Sequence, residues 1–463
     1  MAACHFVLGG LGSQTGSNSE VPVFYIYRFA PMLRLTYFSR RFFIFFLFST
    51  GLNASESHPV PTEWSGDHNL LWMQPLPGTG SADPVVRGDR IYLVGYQGYG
   101  EELVRDMNQS FEDGRPRNHR EVEIDAGDME ELEYWIQVRS VRTGELIWEA
   151  TVPASEERHP FRIFLPWHGY ASAHAAVDEH GAVAFFGPEG LFAFDHEGRQ
   201  QWRASVGEGV HRWGTGSSPV IVDDVVVVNA YPESGALYGL DRHTGERLWK
   251  TPDIALSWAT PVVMEGPGGK EIIISMKNRI VSYSVADGSE LWSGKGIPDY
   301  IAPTPVVDGD IVYVIGGRAD FAIALKRGGE VLWEARKGSN VSSPVLSGGH
   351  LFFADDQTTQ FCVLDAQTGE VVVEKQLAEV IDPDGKHAYP MFYASPVVSD
   401  GNIFLVSRQS GTFVLQAESP YAFLAQNVFS SDDSIWNASP VVDGGRLFLR
   451  SGSALYCVGV ADD

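Results

Sequence analysis

The sequence predicts an all-β fold: an eight-bladed β-propeller of four-stranded blades, closed by the N-terminal strand joining the last blade. Three observations predict it. A Pro-Val-like pair followed by a turn and an apolar strand recurs at Pro84, Ala175, Pro219, Pro261, Pro305, Pro344, Pro396 and Pro440. The gaps are 91, 44, 42, 44, 39, 52 and 44 residues, so all but the first share the length of a four-stranded repeat. A tryptophan recurs as Trp148, Trp202, Trp249, Trp292 and Trp333, four or five residues past a turn glycine or its equivalent. The last unit has only three strands, while a spare strand with its own tryptophan, Asn69-Leu70-Leu71-Trp72-Met73, lies at the other end of the repeats.

The fullest copy, Ser217 to Trp249, shows how one blade is written. Strand-like segments occupy Val220–Val222, Val225–Asn229, Ala236–Asp241 and Arg247–Lys250, with polar or glycine-bearing turns between them. Gly245 can take the positive φ of a tight turn, and Asp241 and Thr244 can bond the turn's amides. One such sheet cannot bury both faces, but stacking sheets around an axis can, with a large indole near each outer edge filling the gap between blades. Small residues recur in one slot of the third strand, at Ala193, Gly239, Ser282, Ala324 and Cys457. That pattern suits sheets converging toward a narrow axis. The N-terminal strand completes the last blade and removes the free edge.

These residues carry a family resemblance. The D-x-x-T-G-E-x-x-W turn resembles the tryptophan-docking repeat of pyrroloquinoline-quinone (PQQ) dehydrogenases and of the propeller lipoprotein of the outer-membrane barrel-assembly machinery. The stretch Trp64…Leu71-Trp72…Pro75-Leu76-Pro77-Gly78…Pro84-Val85-Val86-Arg87-Gly88-Asp89-Arg90 is similar to the opening of secreted PQQ-binding-like β-propeller repeat proteins. So are His168-Gly169-Tyr170-Ala171-Ser172 and Trp213-Gly214…Ser217-Ser218-Pro219. The resemblance covers residues 64–463 and speaks for fold; activity resides in the site.

Residues 1–54 read differently. Arg34, Arg40 and Arg41 precede the apolar run Phe42-Phe43-Ile44-Phe45-Phe46-Leu47-Phe48, then the small residues to Ala54. That is the layout of a secretory signal, with Met32 an alternative start to Met1. The run is short for a membrane span, so no span is expected in the mature chain. The expected location is extracytoplasmic, in the periplasm or at the cell surface. No cysteine follows the run, which gives no support to lipid attachment. The net charge of −25 repels nucleic acid and anionic headgroups, excludes a nucleic-acid role, and favours a cationic partner. Cys4 falls in the leader, and Cys362 and Cys457 lie in blades six and eight, so two buried free thiols are expected.

In a propeller, the loops joining each outer strand to the next inner strand surround one mouth of the axial channel. The residues there are His168, Tyr170, Trp213, Trp258, Tyr300, Asn340, Tyr393 and Trp436. Such an aromatic ring with a few polar groups can hold a flat or sugar-like ligand, or can plug the channel end. The PQQ enzymes to which the chain is similar hold their quinone at the related face, with a vicinal Cys-Cys disulfide, a Glu/Asn/Asp calcium set and a catalytic Asp. This chain has no adjacent cysteines and no C-x-x-C-H haem motif; Asp299 and Asn340 are its nearest polar candidates. No cofactor is expected, with PQQ plus calcium as the alternative. His159, His168, His174 and His180 cluster without metal-ligand spacing, and Gly266-Pro267-Gly268-Gly269 is a hairpin turn, not a phosphate loop.

One departure from the repeat is an insertion in blade one, at residues 98–134. From Glu101 to Glu133 it carries twelve acidic residues against Arg105, Arg115, Arg117 and Arg120. It reads as a solvated surface excursion, or as a docking arm or cover over the nearby face. The sequence therefore points to an exported monomeric propeller acting by binding, presenting the aromatic face to a protein or small-molecule partner. A quinoprotein-like oxidoreductase with a degenerate PQQ site and a carbohydrate-binding accessory protein are the alternatives.

Overall fold

The computed structural model describes residues 59–100, 127–155, 165–318, 320–356, 359–377 and 392–461. The expected leader at 1–54, Cys4 and His159 lie outside them, as do residues 101–126 of the insertion.

Eight antiparallel sheets of four strands each make the propeller. Blade three has strands Val220–Val222, Val225–Ala230, Ala236–Asp241 and Arg247–Thr251, within a residue of the sequence expectation. Blade eight is ordered Val441–Asp443, Arg446–Arg450, Ala454–Val458 and then Leu70–Pro75, so the N-terminal strand is its outer member. Trp72 pairs with Cys457 and Pro75 with Ala454 across that closure.

The turn after each third strand forms as its residues require. The Asp241 carboxylate accepts from the Thr244 amide at 2.8 Å, the His243 amide at 2.9 Å and the Thr244 hydroxyl at 3.0 Å. Asp365 repeats the pattern on Gln367 and Thr368. Five of these turns receive the tryptophan of the preceding blade. The indole N–H of Trp202 donates to the Arg242 carbonyl, Trp249 to Val285, and Trp333 to Ala366, all at 2.9 Å. Trp148 reaches His196 O at 3.0 Å, and Trp72 reaches Val141 O at 3.2 Å. Trp292 departs from this, donating to the Glu271 carboxylate within its own blade.

The turn glycine is needed twice over. Gly245 has φ +72°, and a Cβ there would lie 2.6 Å from Cε3 of Trp202. The small third-strand slot has a different cause from the convergence expected above. Ala193, Gly239, Ser282, Ala324 and Cys457 are the register partners of Trp202, Trp249, Trp292, Trp333 and Trp72. The indole lies back over its partner, so a Cβ on Gly239 would sit 2.1 Å from Cε2 of Trp249. Blade six, with Val373 in place of tryptophan, has Val363 as its partner, while in blade one Trp148 pairs with Val138, so the small slot holds in five blades and is not universal.

The core is distributed between blades, as in the cluster that joins Val183 and Trp202 to Val226 and Tyr238. Cys362 and Cys457 are buried free thiols, and burial pushes both up to about 12. No helix among the described residues is long and apolar enough to cross a membrane.

Candidate functional site

The residue before each repeat's first strand faces the axis. These are Asp83, His174, Ser218, Thr260, Thr304, Ser343, Ser395 and Ser439, one per blade. The proline that follows seven of the eight has no N–H and holds the preceding residue extended, so its side chain and amide are free to face neighbouring blades. A belt of hydrogen bonds results. The His174 amide donates to Ser218 Oγ, Ser218 to Thr260 Oγ1, Thr304 to Ser343 Oγ, Ser343 to Ser395 Oγ and Ser395 to Ser439 Oγ, all at 2.9–3.0 Å. The Ser439 amide donates to Asp83 Oδ1 at 2.5 Å.

Above the belt lies a cavity of about 280 Å³. Six expected residues line it: His168, Trp213, Trp258, Tyr300, Asn340 and Tyr393. Trp213 is the hub of the aromatic side, 4.8 Å from Trp258 and 4.3 Å from Tyr300 between ring centroids. Tyr300 donates its hydroxyl to Asn340, whose own amide donates to Asp356 at 3.0 Å. Burial raises the Asp356 carboxyl to about 6. Arg318 stands at the rim with its guanidinium 5.5 Å over Tyr300.

Tyr170 and Trp436 do not line the cavity. A helical turn, Leu165–His168, puts Trp167 and His168 at the mouth, and Gly169 at φ +74° then redirects the chain. Tyr170 packs edge-on against Tyr96 at 5.5 Å and beside Tyr99 at the root of the blade-one insertion. Trp436 is buried on Phe429 and Tyr456, and its neighbour Asn437 lines the cavity instead. In extended backbone, adjacent side chains point to opposite sides, so an offset of one residue exchanges core for cavity.

Sequence reasoning missed several groups. Arg408 is fully buried, 4.5 Å over Tyr393 and 5.0 Å over Trp167, and donates to Asn437 Oδ1 at 2.8 Å and Trp167 O at 2.7 Å. Burial lowers its guanidinium and pushes the Tyr393 phenol up to about 12. Burial also drops His168 to about 4, so it is neutral at pH 7, with Nδ1 2.7 Å from Ser172 Oγ. Asp83 is raised by burial, a rise opposed by His174, by its bonds from Ser439 and by Arg450. The signal for the belt is present in the sequence, because a Ser or Thr stands before the proline in six repeats.

The lining residues do not fit the quinone-and-calcium set. Calcium takes six to eight oxygen ligands from carboxylates and carbonyls. Asp83 is the one carboxylate among the lining residues, and no group of three His, Cys, Asp or Glu among the described residues could hold a metal ion. Asp299 is spent on its own loop, accepting from the Tyr300 and Arg318 amides at 2.8 and 3.0 Å. Of the clustered histidines, His168 and His174 face the cavity, while His180 meets His243 edge-on at 4.8 Å.

Comparison with known proteins agrees with this architecture. The family described as outer membrane protein assembly factor BamB matches residues 135–375 and 276–463. The chain belongs to this family. BamB of Yersinia pestis is 23% identical over 343 residues, spanning 69% of this chain and 78% of that protein. The crystal structure of BamB from Moraxella catarrhalis superposes with a TM-score of 0.56 at 13% identity, over 84% of this chain and 99% of the other. A europium-containing methanol dehydrogenase gives a TM-score of 0.54 at 11% identity, over 84% and 93%. These two likenesses concern the fold alone. As in the BamB family, the repeats here are PQQ-like propeller blades, and the fold does not by itself carry an oxidoreductase site.

Proposed function

We propose that the chain is an exported, non-catalytic binding propeller that engages a protein partner in outer-membrane protein assembly through its aromatic axial face. The observation that carries this reading is the mutual engagement of the mouth's polar groups. Asn340 is held by Tyr300 and Asp356, Arg408 by Asn437 and Trp167, and Asp299 by its own loop. Such a surface is rigid and suits recognition. A nucleophile-like pair, Ser172 with His168, has no carboxylate on the other ring nitrogen among the described residues, and burial makes that imidazole a weak base. The BamB relatives are described as assembly factors, which supports a protein partner. The Arg-then-apolar leader pattern supports an extracytoplasmic location.

The test is affinity purification of the tagged full chain from its own host after cell fractionation. The expected result is an extracytoplasmic protein, cleaved near Ala54, that co-purifies with the outer-membrane protein assembly apparatus. A cytosolic protein, or a folded one that purifies alone from the envelope, would overturn the reading.

A further inference from the structure

We propose that the axial cavity is a binding site for a neutral, polyhydroxylated small molecule of about monosaccharide size. Three properties of the cavity lead there. The volume of about 280 Å³ is at the lower edge of small-molecule sites. Its floor is unusually rich in neutral hydrogen-bonding groups, because six of the eight belt positions are Ser or Thr. An apolar ligand would desolvate that floor and offer its hydroxyl donors no acceptor. Its walls are Trp167, Trp213, Trp258, Tyr300 and Tyr393, whose rings offer flat apolar faces to the C–H face of a pyranose.

Charge selects among polar ligands. Asp83 and His174 interrupt the hydroxyl belt on adjacent blades, and they lie close enough for the imidazole to act on the carboxyl. Asp83 is also opposed by the buried Arg450 guanidinium. Across the cavity, the charge of Arg408 faces Asp356 and Tyr393. The charges of Asp83 and Arg408 are each opposed within the protein, and the Arg318 guanidinium lies over Tyr300 at the rim, so the floor itself offers a charged ligand no unpaired counter-ion. Asp83 Oδ1 accepts from the Ser439 amide, the Ser439 side chain bonds the same carboxyl, and His174 Nδ1 lies 3.2 Å from Ala175 O. A carboxylate oxygen beside an imidazole nitrogen offers an acceptor and a second, tautomer-adjustable partner to two vicinal hydroxyls. The floor thus reads hydroxyl pairs, and the walls hold the ring.

This site lies within the axial face assigned above to the partner, and its test reads small-molecule binding directly, whatever partner capture shows. The full mature chain is titrated with glucose, galactose, N-acetylglucosamine and myo-inositol, with cadaverine and PQQ plus calcium as charged comparisons. Tryptophan fluorescence and calorimetry give the readout. Saturable binding of at least one neutral probe below about 10 mM is expected, with none for the charged probes. Asp83→Asn keeps an acceptor for Ser439 but removes the charge facing Arg450, so it should melt lower and is used only where circular dichroism shows it folded; Tyr393→Phe keeps the ring under Arg408 and should melt unchanged. Each should weaken the sugar at least about tenfold. The proposal fails if no neutral probe binds, if a charged probe binds more tightly, or if both folded variants bind like the parent.

Discussion

Glu233 shows how much one side chain can depend on its pocket. It is buried beneath the loop that carries Trp213, beside a second cavity of about 30 Å³. Thr215 donates its hydroxyl to Oε1, while Oε2 has no hydrogen-bond partner among the described residues. Tyr134, Tyr170 and His211 are the other titratable groups that face this space. Burial raises the carboxyl from 4.5 to about 7. The folded state therefore holds the proton more tightly than the unfolded chain. The associated stability is fully present below pH 4.5 and is lost as the pH rises through about 7. Glu233→Gln keeps an uncharged acceptor for Thr215 and removes this dependence. The variant should match the parent near pH 4 and exceed it by about 3 kcal/mol near pH 8, measured by urea unfolding at both. An equal difference at the two pH values would refute the assignment.

At the scale of an element, the strand Leu70–Pro75 has the largest consequence. It supplies the outer edge of blade eight and carries Trp72, whose indole donates to Val141 O in blade one. Without it, the edge of Ala454–Val458 is bare, and Cys457 and Phe448 lose their cover. Loop-closure arguments make the bond across the ends of the chain costly to form, yet it is what removes the free edges of the ring. A chain beginning at residue 77 should melt at least about 10 °C below one beginning at residue 59 and should aggregate on standing. Scanning calorimetry of the two chains decides this; equal melting temperatures would mean that the strand contributes no closure.

At the scale of the whole molecule, charge and the axial face act together. The chain carries 59 acidic against 34 basic residues, a net charge of −25. A field of that sign steers a basic partner and repels acidic ones. Partner association should therefore slow markedly between about 0.05 and 0.5 M salt, with dissociation much less affected. Surface plasmon resonance at the two salt levels checks this, and a salt-independent association rate would exclude electrostatic steering. The acidic insertion is rooted on the same side of the molecule as the cavity, since Gln97 and Glu133 pair at its base and Tyr99 lies 6.1 Å from Tyr170.

The sequence by itself determined the ring. Eight starts such as Pro219-Val220, the D-x-x-T-G-E-x-x-W turn and a spare strand at Trp72 are local, periodic signals, and strand period and turn chemistry are set by near neighbours. Most of the mouth was legible for the same reason, because repeats bring equivalent positions to one face. Tertiary structure decided what local pattern could not. A helical turn at Leu165–His168 exchanged Tyr170 for Trp167, and one residue of strand phase exchanged Trp436 for Asn437. It alone showed that the small slot at Gly239 accommodates Trp249. It also brought Arg408 to Trp167, residues 241 apart in the chain, and turned eight pre-strand residues into one polar belt. Those contacts join blades distant in sequence, and only the closed ring makes them neighbours.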